Sequence, residues 1–198
     1  MRRGERGRIG GGVAAGLLAA MLILAASSQA AAGEKWGPFR GRLVDVETGQ
    51  GIAGGVVLAV WERAYPGVAG TVSEFHEARE AVSGADGLFE MPRLDPPFFS
   101  LNVRPPAFQF FAPGYGMVRW VVTPENGDPL VDPTVIEMRP MKTREERLRS
   151  LQSLPSVFFI AEPPRGDIRK VAPRDKFQSY LETINRERKS LNLNLLTY

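Results

Sequence analysis

Two glycine-marked turns constrain the fold of this 198-residue chain more than any other feature. The first lies in GRLVDVETGQGIAGG (residues 41–55) and the second in SGADGLFEMPRL (residues 83–94). In each, a half-buried strand pattern meets a turn in which Gly supplies a positive φ and Asp or Thr bonds the turn backbone. The Asp86-Gly87 pair is also a strong signal for a tight hairpin. Short strands joined by tight turns are therefore predicted here.

The same pattern recurs as far as residue 138. Strands are predicted at residues 36–46, 56–61, 74–82, 88–91, 101–103, 108–112, 117–122 and 134–138, where β-branched and aromatic residues alternate with polar ones. The polar segments 62–72 and 126–133 are predicted to be loops. Six to eight short strands with Gly and Pro between them predict a mainly β fold, an antiparallel Greek-key β-sandwich of about seven strands.

The C-terminal sixty residues have a different character and predict a two-helix tail. Thr143 and Glu146 match a capping box, so a short helix is expected up to about residue 153. Residues 155–173 are Pro-rich, and Asp175 is expected to cap a second helix. Its apolar stripe consists of Phe177, Tyr180, Leu181, Ile184 and Leu191. Because such a stripe has to be buried, we expect the tail to dock on the sandwich.

The N-terminus has the layout of a secretory signal peptide. Four arginines precede an apolar run at residues 13–26, and small residues at 28–32 form a cleavage site. The domain prediction is therefore a signal peptide at 1–32, a sandwich at 33–140, and a helical, Pro-interrupted extension at 141–198. This predicts export to the periplasm or the cell exterior. A leader that is not cleaved would act instead as a membrane anchor.

Charge is distributed unevenly along the exported part of the chain. Without the four Arg and one Glu of residues 1–30, 21 basic and 21 acidic residues remain, a balance that argues against a nucleic-acid partner. Residues 31–138 carry 8 basic and 14 acidic residues, whereas residues 139–198 carry 13 and 7. The basic tail is expected to fold back on the acidic sandwich; contact with an anionic membrane or partner is the alternative.

Residues suited to catalysis or metal binding are few. The chain has no Cys, which excludes disulfides and thiolate sites, and its one histidine is His76. Alternation would place His76 on a strand face with Glu74 and Glu80, but one His and two carboxylates are a thin ligand set. Carboxylates at 125, 128 and 132 are interpreted as solvated loop charge rather than a Ca²⁺ site. No catalytic residue, metal or cofactor is predicted.

The glycine turns also carry a family resemblance. Its first part consists of Gly41, Leu43, Asp45, Thr48, Gly49, Ile52, Gly54, Gly55 and Val57; its second of Ser83, Asp86, Gly87, Phe89, Met91 and Pro92; its third of Gly114 and Tyr115. In this order and spacing they resemble the carboxypeptidase regulatory-like domain, a prealbumin-like (transthyretin-like) sandwich. The resemblance implies a module that packs beside others and lacks catalytic machinery. It does not extend to the tail.

Aromatic residues offer the main candidate for a binding surface. Burial in the core is the favoured interpretation of the aromatic residues, and Trp61, Phe111, Tyr115 and Trp120 are the possible ligand or partner surface. The predicted function is an exported, non-enzymatic accessory domain with a protein partner in the cell envelope or outside the cell. A carbohydrate- or surface-binding module is the alternative, followed by an unrecognised hydrolase. Membrane contact is expected only through the leader or the basic tail.

Overall fold

The computed structural model describes residues 35–67, 70–96, 101–121, 134–153 and 174–196. The elements are β1 (Phe39–Asp45), β2 (Val56–Gly67), β3 (Gly70–Val82), β4 (Leu88–Met91), β5 (Ala107–Phe111), β6 (Val118–Val121), β7 (Thr134–Met138), α1 (Arg144–Gln152), a 3₁₀-helix (Arg174–Phe177) and α2 (Gln178–Ser190). The predicted leader, the carboxylates at 125, 128 and 132, and the Pro-rich segment lie outside the described residues.

The strands form two sheets that pack face to face, as a sandwich-like fold. One sheet has the order β4-β1-β7 and the other β3-β2-β5-β6. All pairs are antiparallel except β1 and β7, which run parallel with Leu43 opposite Ile136. The mainly β prediction is confirmed, but an entirely antiparallel arrangement is wrong for this pair. Because β7 returns to β1 only after the chain has built the other sheet, no hairpin turn imposes antiparallel pairing on it.

The main core lies between the two sheets and follows the alternation of the sequence. Phe39 and Leu43 of β1 point inward, whereas Arg40 is exposed, as the period of two predicts. The other side of this core comes from the second sheet and includes Val57, Ala59, Trp61, Phe108 and Phe110. Phe39 and Phe108 meet edge to face with their ring centroids 4.9 Å apart. Burial of these side chains holds the two layers together.

A second core lies on the outer side of the four-stranded sheet, under the tail. Val56, Leu58, Val60, Ala78 and Phe111 of the sheet pack with Phe177, Tyr180 and Ile184. Four of the five residues predicted as the apolar stripe are buried, and Leu181 is partly buried. The second helix therefore docks on the sheet as its stripe predicts. We call this outer side of the four-stranded sheet the covered face.

Strands β2 and β3 are longer than the sequence predicts. Residues 62–67 and 70–72 continue the two strands as a hairpin, with Tyr65 opposite Val72 and Gly67 opposite Gly70. The prediction of a loop over 62–72 is therefore wrong for the described residues. The end of this hairpin is exposed at residues 66–67 and 70–73, so its sequence needs no apolar face there and lacks the alternation on which strand prediction depends.

Helix α1 begins as its sequence predicts. The Thr143 hydroxyl accepts the Glu146 backbone N–H at 3.2 Å, and the Glu146 carboxylate accepts the Thr143 N–H at 3.0 Å. The capping box is confirmed. Neither this helix nor α2 is long and apolar enough to cross a membrane, and the same holds for every helix in the described part of the chain.

Candidate functional site

The residues of the first glycine turn form a hydrogen-bonded corner at one end of the fold. Asp45 Oδ1 accepts the backbone N–H groups of Glu47 at 2.7 Å and Thr48 at 3.0 Å. Gly49 follows with a φ of 69° and donates to the Asp45 carbonyl. Burial alone would raise the pKa of Asp45, but these bonds and one from Tyr115 outweigh it and lower the pKa. The role of Asp45 in this corner is to build a turn.

The two glycine turns meet at close range. A Cβ on Gly87, whose φ is 81°, would lie 2.3 Å from the Leu43 carbonyl oxygen, and a Cβ on Gly51 would lie 1.9 Å from the Asp86 carbonyl oxygen. Nearby, the buried Ser83 hydroxyl accepts the Gly55 N–H at 2.9 Å. Glycine is thus required at both positions because the two turn backbones approach too closely for a Cβ, and at Gly87 also because of its positive φ. The motif residues carry the architecture of this corner.

Tyr115 ties the turn between β5 and β6 to the same corner. Its hydroxyl donates to Asp45 Oδ2 at 3.0 Å, and its backbone bridges to Pro140. Burial, followed by the adjacent Asp45 carboxylate, raises the pKa of the Tyr115 hydroxyl. A phenol with a raised pKa next to a carboxylate remains protonated and serves as a hydrogen-bond donor.

The four aromatic residues predicted as a binding surface are separated in the structure. Trp61 is buried between the sheets, where its indole N–H donates to the Lys35 carbonyl at 2.7 Å. Phe111 is buried under α2 on the opposite side of the sheet. Tyr115 and Trp120 are partly buried against the main core. The four side chains therefore form no common platform, because Trp61 and Phe111 lie on opposite sides of the four-stranded sheet.

His76 and its neighbouring carboxylates are also separated. The pairing of β2 and β3 shifts register at this point, with Trp61 opposite Glu77 and Glu62 opposite Phe75. A bulge of this kind breaks the period-two alternation from which a shared face was predicted. The His76 ring meets Trp36 edge-on, whereas Glu80 binds α2. Within the described ranges, no group of three metal-ligating side chains comes together.

Glu80 caps helix α2 from a neighbouring strand. Its carboxylate accepts the backbone N–H groups of Ser179 at 2.9 Å and Tyr180 at 2.7 Å. A carboxylate is favoured here because the first N–H groups of a helix lack intrahelical acceptors. Burial raises the pKa of Glu80, although the two backbone bonds act in the opposite direction. Asp175, which was expected to cap this helix, lies in the 3₁₀ turn that precedes it. The capping role falls instead to Glu80 on strand β3.

Two further polar contacts join the tail to the covered face. The buried Tyr180 hydroxyl lies 3.0 Å from Gln109 Oε1 and donates to it. The buried Glu187 carboxylate accepts Arg147 Nε at 2.7 Å and the Gly114 backbone N–H at 3.0 Å. Glu187 therefore links both helices to the turn between β5 and β6. A charge-assisted, two-point contact of this kind fixes geometry as well as adding stability.

The outer side of the three-stranded sheet is the best candidate for an interaction surface, and we call it the open face. Its outward residues are Arg40, Arg42, Leu88, Glu90, Val135 and Glu137. Arg42 lies opposite both Leu88 and Val135, so the three form one row across the sheet. Leu88 is 50% exposed and Val135 is 54% exposed. Two half-exposed apolar side chains beside a guanidinium suit contact with another protein.

The open face was missed at the sequence level, although part of its signal was present. Alternation in β1 already placed Arg40 and Arg42 outward. What the sequence lacked was the pairing of β1 with β4 and β7, which brings Leu88 and Val135 to the same row from positions 47 residues apart. Comparisons with protein-family models, curated proteins and solved structures find no match to this chain.

Proposed function

We propose that this chain is an exported, non-enzymatic accessory domain of the carboxypeptidase regulatory-like type that binds a protein partner through its open face. The single observation that carries the proposal is the row Leu88–Arg42–Val135, whose apolar members remain half exposed while the outer side of the other sheet is buried by the tail. The domain thus presents one free sheet surface to a partner.

The chemistry of the buried polar groups supports a binding role over a catalytic one. Ser83, Gln109 and Glu187 are buried, and each bonds a backbone group or a structural partner. The half-buried Glu80 caps a helix. A catalytic residue needs a reactive group directed at a substrate rather than one occupied by the fold. The proposed topology is the Greek-key, prealbumin-like one, and the close approach of the two glycine turns in the motif corner supports it.

Site-specific photo-crosslinking in the cell envelope of the source organism tests this proposal. A photoreactive residue is placed at Leu88 or Val135 of the full chain, and at Leu195 as the control, since Leu195 is 53% exposed but lies in the tail. We expect one protein adduct of the same mass from both open-face positions and none from the control. Adducts only from Leu195, or no adduct from either open-face position, would contradict the proposal. An Arg42→Glu substitution should abolish both adducts.

A further inference from the structure

We propose that the open face binds a second copy of this chain, so that two domains associate about a two-fold axis. This inference rests on the proposed function, because it names the partner of the same face. The observation behind it is a cation and an anion, Arg42 and Glu137, that share the face without pairing with each other. Each is therefore available to its opposite on another copy.

Exposed apolar side chains are concentrated on the open face. Seven large apolar residues in the described ranges are exposed, and three of them belong to this face: Val46 at 46%, Leu88 at 50% and Val135 at 54%. Val46 follows β1, but its N–H still bonds the Met138 carbonyl at 3.1 Å, so the alternation that directs Arg42 outward extends to it. Covering these three side chains would gain free energy.

The Arg42 side chain is held on the side of the open face that lies away from Glu137. Its Nε donates to the Asp86 carbonyl at 2.8 Å, on the β4 side of β1. Glu137 is an exposed residue of β7, on the other side of β1. Among the described residues, the remaining guanidinium N–H groups of Arg42 and the Glu137 carboxylate bond nothing. The face thus keeps one set of donors and one acceptor for a partner.

The charge balance of the open face favours an identical partner. Arg40 and Glu90 already pair with each other at 2.8 Å, so the three strands carry two arginines, two glutamates and no net charge. A strongly charged partner would gain little from such a face. A surface that offers one unpaired group of each sign complements itself, which is what two-fold association of identical chains requires.

In this dimer Arg42 of one copy pairs with Glu137 of the other, and symmetry forms the same pair a second time. The exposed apolar residues around the two pairs exclude water from them, which strengthens the contact.

The size of the open face sets the strength of the dimer. Three strands about 4.8 Å apart make the face about 14 Å wide, and the seven residues of β1 make it about 23 Å long. Even with the relief of its side chains, this face is smaller than the roughly 800 Å² that each partner buries in a standard interface. We therefore expect a reversible dimer with a dissociation constant above about 1 μM.

Charge reversal in the purified full chain tests the contact by sedimentation equilibrium. Arg42→Glu places two glutamates in each contact, and Glu137→Arg places two arginines there. Each variant should dissociate with a constant at least about tenfold larger than that of the unsubstituted chain. An equimolar mixture of the two variants restores opposite charges in both contacts. It should form a mixed dimer whose dissociation constant lies within about threefold of the unsubstituted value.

Arg119→Glu is the matched control, because Arg119 is an exposed arginine of β6 in the other sheet. This variant should dimerise as the unsubstituted chain does. All the proteins carry the same residues 1–34, so association through that segment would be common to all of them. Circular dichroism checks that each variant is folded. If Arg42→Glu does not fold, Glu137→Arg measured against Arg119→Glu decides the test.

Three results would overturn the dimer: a purified chain that stays monomeric up to about 1 mM, a dimer that neither charge reversal weakens, or a mixture of the two variants that stays monomeric. The envelope crosslinks separate this failure from failure of the proposed function. Open-face adducts with a different protein, together with a monomeric purified chain, would overturn the dimer and leave the proposed function in place. Adducts of twice the mass of the chain would support both, and no adduct with no dimer would contradict both.

Discussion

The two outer faces of the sandwich differ in what lies on them. On the covered face, α2 buries Val56 and Phe111 and brings Glu187 into a bonded, buried position. On the open face, Arg40 and Glu90 form an ion pair at 2.8 Å, with both side chains at least half exposed. The same chemistry, an arginine with a carboxylate, therefore occurs once in a buried setting and once in water.

This comparison shows why the tail covers one sheet surface and not the other. The covered face is more apolar in its outward residues, so leaving it in water would cost free energy. The open face alternates charged and apolar residues, which water tolerates. The tail therefore docks on the face that needs cover, and the other stays accessible.

The largest expected difference between the faces concerns their ion pairs. Arg147→Met leaves Glu187, which is 3% exposed, as a buried charge without its cation, and should lower the free energy of unfolding by about 3 kcal/mol. The matched change Arg40→Met removes a solvent-screened pair and should cost less than about 1 kcal/mol. Denaturant unfolding of both variants measures the difference. Equal losses would mean that the tail is not docked as described.

The second comparison introduces the same hydroxyl group on each of the two faces. Val56→Thr puts a hydroxyl beneath α2, where the Val56 side chain has no exposure, and should cost about 1–3 kcal/mol of stability. Val135→Thr puts the hydroxyl in water on the open face and should change stability by no more than about 0.5 kcal/mol. Thermal and denaturant melts of the two variants provide the measurement. A costly Val135→Thr would show that the open face is covered in the isolated protein.

The smallest expected effect concerns the pH dependence of the covered face. Because the folded pKa of Glu80 lies above its ordinary value of 4.5, the folded state binds the proton more tightly than the unfolded state does. The Glu80 contribution to stability is therefore full below pH 4.5 and is lost as the pH rises through the folded pKa. The neighbouring Glu182 carboxylate acts in the same direction.

Glu80→Gln removes this contribution without removing the side-chain oxygen that caps α2. The stability of the unsubstituted protein relative to the variant should increase as the pH falls from neutral towards 4, as measured by denaturant unfolding at several pH values. Glu90→Gln on the open face is the control, and its difference should stay nearly constant over that range. If the stability of the unsubstituted protein relative to Glu80→Gln instead decreased towards low pH, the folded pKa of Glu80 would be lowered rather than raised. That result would contradict a desolvated carboxylate at the start of α2.

Much of the fold was predictable because it depends on local geometry. The alternation of β1 and the capping box at Thr143 each act within a few residues, and both are present as predicted. The tight hairpin predicted at Asp86-Gly87 is wrong, because β3 and β4, which this turn connects, lie in different sheets. The end of the β2–β3 hairpin was not predictable in the same way, since its residues 66–67 and 70–73 are exposed and carry no alternation. Which aromatic residues lie together was not predictable from the sequence, since Trp61 and Phe111 lie in two different cores on opposite sides of one sheet.

The sequence by itself determined a mainly β chain with glycine corners and a tail whose apolar stripe needed a surface. Only the tertiary structure decided which sheet the stripe covers, which strand caps α2, and which outward residues form a row. Turn type and alternation are properties of neighbouring residues, and so they can be read locally. The choice between two sheet faces depends on the pairing of β1 with β4 and β7 and on contacts about a hundred residues apart, such as Glu80 with Tyr180. Those contacts exist only once the chain has folded.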